Sequence, residues 1–177
     1  HAGISHHARV KVRRVQSEMI EKNGPEAYLS GSQSILVPGG FDYRGVEGKI
    51  RAIQYARENR IPFLGICLGM QCACVEFAQN VLGLEGAHST EFKANNSHPV
   101  ISLLEEQQQV TDKGGTLRLG AYPCSVVPGT AAGDAYGVER VAERHRHRYE
   151  FYNEYCELFE KHGMVFSGRS PDGSLVE

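Results

Sequence analysis

Ile61-Pro62-Phe63-Leu64-Gly65-Ile66-Cys67-Leu68-Gly69-Met70-Gln71-Cys72-Ala73 is the stretch on which the reading of this chain turns. The apolar run Ile61, Phe63, Leu64 and Ile66, broken only by Pro62 and Gly65, predicts a short buried strand. Met70, Cys74, Phe77 and Val81 then recur at helical spacing and predict an amphipathic helix. Cys67 stands at the corner between the two, with Gly65 before it and Gly69 after it. A nucleophile on a sharp strand-to-helix turn has the geometry of a nucleophile elbow, and a Cβ at either glycine would crowd that turn. The helix aims free N–H groups and the positive end of its dipole at the sulfur. These residues alone leave two readings, a reactive thiol or a core cysteine between structural glycines.

Working outward, Ser34-Ile35-Leu36-Val37-Pro38-Gly39-Gly40-Phe41 is an apolar strand that runs into a glycine pair. Backbone N–H groups exposed in such a turn can receive a developing negative oxygen, and a plain strand-to-loop turn fits the residues equally. Between the two strands, Ile50, Ile53 and Ala56 predict a helix over residues 47–59. Two successive strand–helix units predict an α/β fold with a mostly parallel central sheet and helices on both faces, a three-layer α/β/α arrangement. Ile35–Val37 and Phe63–Ile66 are expected to be adjacent buried strands.

Before these units, His1-Ala2-Gly3 reads as the tail of a helix with its terminal glycine. Ala8, Val10 and Val12 alternate with Arg9, Lys11 and Arg13, the pattern of a strand with one polar face. His6 and His7 read as a solvated pair, Ser17–Glu21 as a helical turn, and Asn23-Gly24-Pro25 as a break. After the central helix, residues 85–99 read as loop and 105–115 as a polar excursion. Thr116–Gly120 and Cys124–Val127 are expected to be short strands joined through Pro123, with weak helix over Asp134–Val141. Glu143-Arg-His-Arg-His-Arg-Tyr-Glu150 would, as a strand, put the arginines on one face and the histidines on the other. Tyr155, Leu158, Phe159 and His162 suggest a short helix closing at Gly163. Met164–Ser167 reads as a strand, Pro171-Asp172-Gly173 as a turn, and Leu175-Val176 as a returning strand.

The 177 residues suffice for one domain with a sizeable core. A net charge of −2 offers nothing to nucleic acid or to an anionic membrane surface. No apolar run is long enough for a membrane span, and no signal peptide is expected. Five cysteines, an odd number with no CxxC pair, suit a reducing, cytoplasmic compartment better than a disulfide scaffold or a zinc site. Cys72, Cys74, Cys124 and Cys156 read as small core hydrophobes.

A cysteine nucleophile needs a base, usually a histidine held by a carboxylate. None of the eight histidines stands in a His-x-Glu or His-x-Asp arrangement. The motifs nonetheless add up. Leu36–Phe41, Arg44–Lys49, Gly65–Gln71, Ala87–Phe92, Gly114–Gly120 and Glu143–Glu150 together resemble the glutamine amidotransferase domain of the CTP synthase family, over essentially the whole chain. The cysteine motif marks the wider class I amidotransferases, and the last two motifs single out CTP synthases among them.

The resemblance implies that Cys67 attacks the side-chain amide of L-glutamine, giving a thioester and ammonia. It implies an oxyanion hole from the backbone N–H groups of Gly40 and Leu68, and glutamine contacts from Gly69, Met70, Gln71, Glu91 and Arg148. Glu91 would face the α-ammonium and Arg148 the α-carboxylate, and Phe41 would sit where the family couples GTP activation to the glutaminase. The family's second Gly after that Phe is Asp42 here, a residue that tolerates left-handed backbone better than most. The family's His-Pro-Glu is expected beyond Glu177 and its first strand before His1, so residues 1–177 read as an amidotransferase domain incomplete at both ends, inactive as it stands. ATP, Mg2+ and UTP would belong to a separate synthetase domain of a cytoplasmic homotetramer, with no metal or cofactor in this part. Another class I amidotransferase, or a non-catalytic glutamine-binding module, are the alternative readings.

Overall fold

A computed structural model describes residues 1–41, 43–103 and 118–177. Asp42, the polar excursion over 105–115 and the pair Thr116-Leu117 lie outside the described residues. The helices are α1 (Ala2–Ser5), α2 (Ser17–Asn23), α3 (Glu26–Leu29), α4 (Val46–Glu58), α5 (Leu68–Asn80), α6 (Ala131–Tyr136) and α7 (Cys156–Lys161). The strands are β1 (Ile35–Val37), β2 (Phe63–Gly65), β3 (His88–Ser89), β4 (Pro99–Ser102), β5 (Arg118–Val126), β6 (Arg140–His147), β7 (Glu150–Phe151) and β8 (Gly168–Arg169). The chain is thus α/β. Its described strands pair as β1-β2, as β3-β4-β7 and as β6-β5-β8.

The two central strand–helix units form where the sequence puts them. β1 and β2 are parallel neighbours, with Ile35 opposite Phe63 and Val37 opposite Gly65. Ile35 and Val37 are buried against a core that takes Ile50, Ile53 and Ala56 from α4 and Cys72, Val75 and Ala78 from α5. The two helices are also joined by charge. Glu76, 1% exposed, receives a fork of hydrogen bonds from Arg57, at 3.1 Å from Nε and 2.8 Å from Nη2. The fork supplies the partner that a buried carboxylate needs.

The expectation that both strands are buried needs correction. Leu36 is 56% exposed, Leu64 55% and Ile66 48%, so the pair buries one face and leaves the other open among the described residues. Alternating side chains on a strand point to opposite faces, and here only one face has a cover.

Other differences have local causes. Residues 8–13 form no strand, and Val10 and Val12 stay exposed. Period-two patterning makes a strand only where a neighbour completes the ladder. Here Arg13 instead ties the segment to Ser30 O and Ser32 Oγ. Gly3 does not end a helix but lies inside α1, whose last turn passes to His6. Pro123 does not divide two strands: β5 runs through it, opposite Ala142 of β6. β8 joins β5 only at Ser125 and Val126, so among the described residues Pro123 has a strand neighbour on one side alone. Residues 137–141 turn from Gly137 into β6 rather than extending α6, and the strand expected at 164–167 begins instead at Gly168. His88 and Ser89, read as loop, form β3 beside β4. The alternation in 143–147 holds, with Arg144 and Arg146 exposed and His145 and His147 half-buried. No helix among the described residues is long and apolar enough to cross a membrane.

Candidate active site

Cys67 is the second residue of the two-residue corner between β2 and α5, with φ 56° and ψ −113°. A non-glycine residue in that conformation costs on the order of 1–3 kcal/mol and persists only where its surroundings impose it. Two backbone hydrogen bonds impose it. Ile66 N–H donates to Val37 O at 3.0 Å, and Gly69 N–H donates to Ile66 O at 2.9 Å. Gly69 itself is obligatory, because a Cβ there would lie 2.1 Å from Val37 O. The first turn of α5 therefore presses directly on β1, and the thiol is held out at the corner.

Leu68 follows as the first residue of α5, where a backbone N–H has no acceptor within the helix. Gly40 comes alongside from the turn after β1: a Cβ on it would be 3.6 Å from Leu68 Cδ2. The turn after β1 and the start of α5 therefore lie side by side.

Cys67, Gly40, Phe41, Gln71, Glu91, Arg146, His147, Arg148 and Tyr149 line one cavity of about 180 Å3. The residues come from four separate parts of the chain. Six of the residues singled out in the sequence (Gly40, Phe41, Cys67, Gln71, Glu91, Arg148) converge on it. Leu68, Gly69 and Met70 are not among its lining residues. Leu68 is buried in the core, Gly69 is pressed on β1, and Met70 Sδ accepts a long contact from Cys74 Sγ at 3.6 Å. A larger cavity of about 320 Å3 beside β1, α2 and α4 contains none of these groups.

Each charged wall of the cavity has its own support. Glu91 follows β3, and its N–H donates to Ser89 Oγ at 3.2 Å. Ser89 N–H in turn donates to His88 Nδ1 at 2.9 Å, which leaves His88 Nε2 facing Glu47 Oε1 at 3.4 Å. Burial in the cavity wall raises the pKa of the Glu91 carboxyl, and the attraction of Arg148 opposes the rise. Arg148 sits on the bend between β6 and β7, and its buried Nε has no hydrogen-bond partner. Gln71 Nε2 donates to Tyr149 O at 2.9 Å, fastening that bend to α5. Arg146 lies over the Phe41 ring at 5.3 Å.

Arg146, His147 and Tyr149 escaped the sequence reading as cavity residues. The alternation over 143–147 separated the arginines from the histidines, but nothing in it marked which of them line a cavity. Burial, then His145 and Arg118, push the pKa of His147 down. Among the described residues no hydrogen bond links Cys67 Sγ to a histidine. Burial pushes Cys72 and Cys74 up to about 12, the opposite of what thiolate metal ligands require, and the described residues include no group of three candidate ligands.

Chemically, the cavity offers a thiol at an open corner, a helix start and a glycine turn beside it, and a carboxylate and a guanidinium in its lining. That combination fits a small zwitterion carrying an electrophilic carbon.

The chain matches the family model for glutamine amidotransferase class-I over residues 1–177. It is 63% identical over all its length to a CTP synthase of Carboxydothermus hydrogenoformans and 57% identical to one of Geobacillus kaustophilus. It spans about a third of the length of these curated relatives, 33% of each. Among solved structures it superimposes on the Trypanosoma brucei CTPS glutaminase domain with bound acivicin, with TM-score 0.90 and 38% identity. That match covers 99% of this chain and 69% of the other.

Proposed function

Because this chain belongs to the glutamine amidotransferase class-I family, we propose that it is the glutaminase domain of a CTP synthase, releasing ammonia from L-glutamine for the ATP-dependent amination of UTP. The observation that carries the reading is the convergence of Cys67, Glu91 and Arg148 on one cavity. In this reading the α-ammonium of glutamine faces Glu91 and its α-carboxylate faces Arg148, whose unpartnered Nε gains an acceptor. The side chain then extends toward the sulfur of Cys67. Attack on the amide carbon forms a C–S bond, and the carbonyl oxygen takes up negative charge facing the N–H groups of Gly40 and Leu68. Protonated ammonia-to-be leaves as the C–N bond breaks, and water later cleaves the thioester to glutamate.

The proton on the thiol and the proton for the departing nitrogen need a base, which this reading takes from the His-Pro-Glu that the resemblance sets after residue 177. ATP, UTP and Mg2+ are assigned to a synthetase domain, and GTP acts as activator near Phe41. The setting proposed is a cytoplasmic homotetramer.

The test is thiol-directed labelling by a glutamine-like electrophile, followed by peptide mapping. Modification at Cys67 that L-glutamine blocks supports the reading. Modification spread over several cysteines, or unaffected by glutamine, counts against it. Cys67→Ser in the full-length enzyme should abolish CTP formation from glutamine while leaving formation from ammonia intact.

A further inference from the structure

Arg148 is presented by a short bend, and the bend has a fastening remote from the cavity. Arg118 opens β5 directly opposite His147 of β6, on the near side of the bend. Glu150, on the far side, belongs to β7 and pairs with Ser102 of β4. Arg118 Nη1 donates to Glu150 Oε1 at 3.1 Å, so the ion pair spans the two residues between, Arg148 and Tyr149. Both side chains are almost wholly buried, 9% and 4% exposed, and neither lines the cavity. Buried pairs of this kind are poor devices for raw stability, because the cost of desolvation offsets most of the attraction. They are good devices for fixing geometry. Arg118 is locked in turn, since its Nη2 reaches Glu177 at 2.5 Å and its guanidinium covers the Tyr122 ring at 4.7 Å.

We propose that Arg118 and Glu150 are positioning residues that clasp the 147–150 bend and so set the affinity of Arg148 for the substrate α-carboxylate. The inference rests on the reading of Arg148 given above. Without the clasp, the bend keeps its Gln71–Tyr149 hydrogen bond to α5, but the guanidinium of Arg148 samples positions from which a carboxylate is out of reach. Loss of a binding contact common to ground and transition states raises KM and spares kcat.

The test uses full-length enzyme bearing Glu150→Ala, Glu150→Gln, Arg148→Ala and the double change Glu150→Ala with Arg148→Ala. Glu150 is chosen because Arg118→Met would remove a partner from two buried carboxylates at once, leaving Glu177 with His145, and endanger folding. Each variant is assayed with L-glutamine and with L-glutamine α-amide, which lacks the carboxylate charge. Glu150→Ala is expected to raise KM for glutamine about tenfold with kcat within about twofold, and to erode the preference for glutamine over its α-amide. Glu150→Gln still accepts from Arg118 and should recover most of the loss. The double variant should bind no worse than Arg148→Ala alone, the mark of two residues acting through one contact. Additive losses in the double variant, or an unchanged preference in Glu150→Ala, overturn the clasp while the Arg148 reading stands. An Arg148→Ala enzyme with unchanged KM and preference overturns that reading and the clasp with it.

Discussion

The side-chain amide of Gln71 donates to the backbone carbonyl of Tyr149 at 2.9 Å, joining the helix that starts at the candidate nucleophile to the bend that carries Arg148. Gln71 is 7% exposed, so this hydrogen bond is made away from competing water. Gln71→Leu keeps the size and deletes the donor, leaving a carbonyl unsatisfied. The expected cost is about 1–3 kcal/mol in denaturant unfolding. Glutamine KM should rise with it, because the bend is freed. A variant with unchanged midpoint and unchanged KM would show that the bond joins the two elements without constraining either.

Glu91 gives a pH dependence whose sign follows from its surroundings. Burial raises its pKa and Arg148 only partly opposes the rise, so it takes up a proton above the ordinary carboxylate range. Once protonated it no longer attracts an α-ammonium. Glutamine KM should therefore climb as pH falls through this raised pKa, while Glu91→Gln should have a high and pH-independent KM over the same acid limb. For stability the sign is reversed: the folded state holds the proton more tightly than the unfolded chain, so this group contributes stability at low pH that is lost as pH rises. The comparison to make is KM against pH for the two proteins. Parallel curves would remove Glu91 from ammonium binding.

The thiols should separate by reactivity. Cys72 and Cys74 are buried and pushed up to about 12, so in the native protein they present no thiolate near neutral pH. Cys67 is reachable from the cavity. Iodoacetamide at pH 8 should modify Cys67 and spare Cys72 and Cys74 until denaturant is added, as peptide mapping can show. Early modification at Cys72 or Cys74 would mean that α5 opens locally far more readily than its packing implies.

What the sequence disclosed and what it hid divide along a physical line. The corner at Cys67 was legible because it is local: a strand, glycines on both sides and a helical stripe occupy adjacent residues. The helix over Val46–Glu58 was legible for the same reason. Glu91 and Arg148 were not legible from spacing, since they lie 57 positions apart and come from a loop after β3 and the bend between β6 and β7; only the family resemblance pointed to them. Pro123 misled because the rule that proline interrupts strands assumes two ladder partners, and β5 has one at that point. Leu36, Leu64 and Ile66 misled because apolar composition reports what a face could bury, not whether anything lies against it.

Gly69 offers a test of the corner that does not touch the thiol. An added Cβ would meet Val37 O at 2.1 Å, a backbone atom in a paired strand that cannot swing aside. Gly69→Ala should cost about 1–3 kcal/mol as overpacking, a Tm drop of roughly 2–4 °C for each kcal/mol in a domain of this size. Because the same contact sets where α5 begins, glutamine-protected labelling of Cys67 should slow as well. Lower stability with an unchanged labelling rate would show that the helix shifts without carrying the corner with it.

The last expectation concerns the proton. Attack by Cys67 requires that something accept the thiol hydrogen, and release of ammonia requires that something return one. In the proposed oxyanion hole, backbone donors at Gly40 and Leu68 would lower the barrier for charge on oxygen, but they move no proton. Within residues 1–177 the histidine nearest in role is His147, which lines the cavity. Its pKa is pushed down by burial and by His145 and Arg118, and no hydrogen bond joins it to the sulfur. A base that is not in hydrogen-bond reach of its nucleophile contributes little. Residues 1–177 alone should therefore hydrolyse glutamine at a negligible rate while still binding it. The same chain extended through the family's His-Pro-Glu should gain on the order of 10²–10⁴-fold from general acid–base catalysis. His147→Ala separates the two sources of a base: in the extended protein it should leave turnover largely intact. Equal rates with and without the extension, lost on His147→Ala, would make His147 the base and put the whole reaction within these 177 residues.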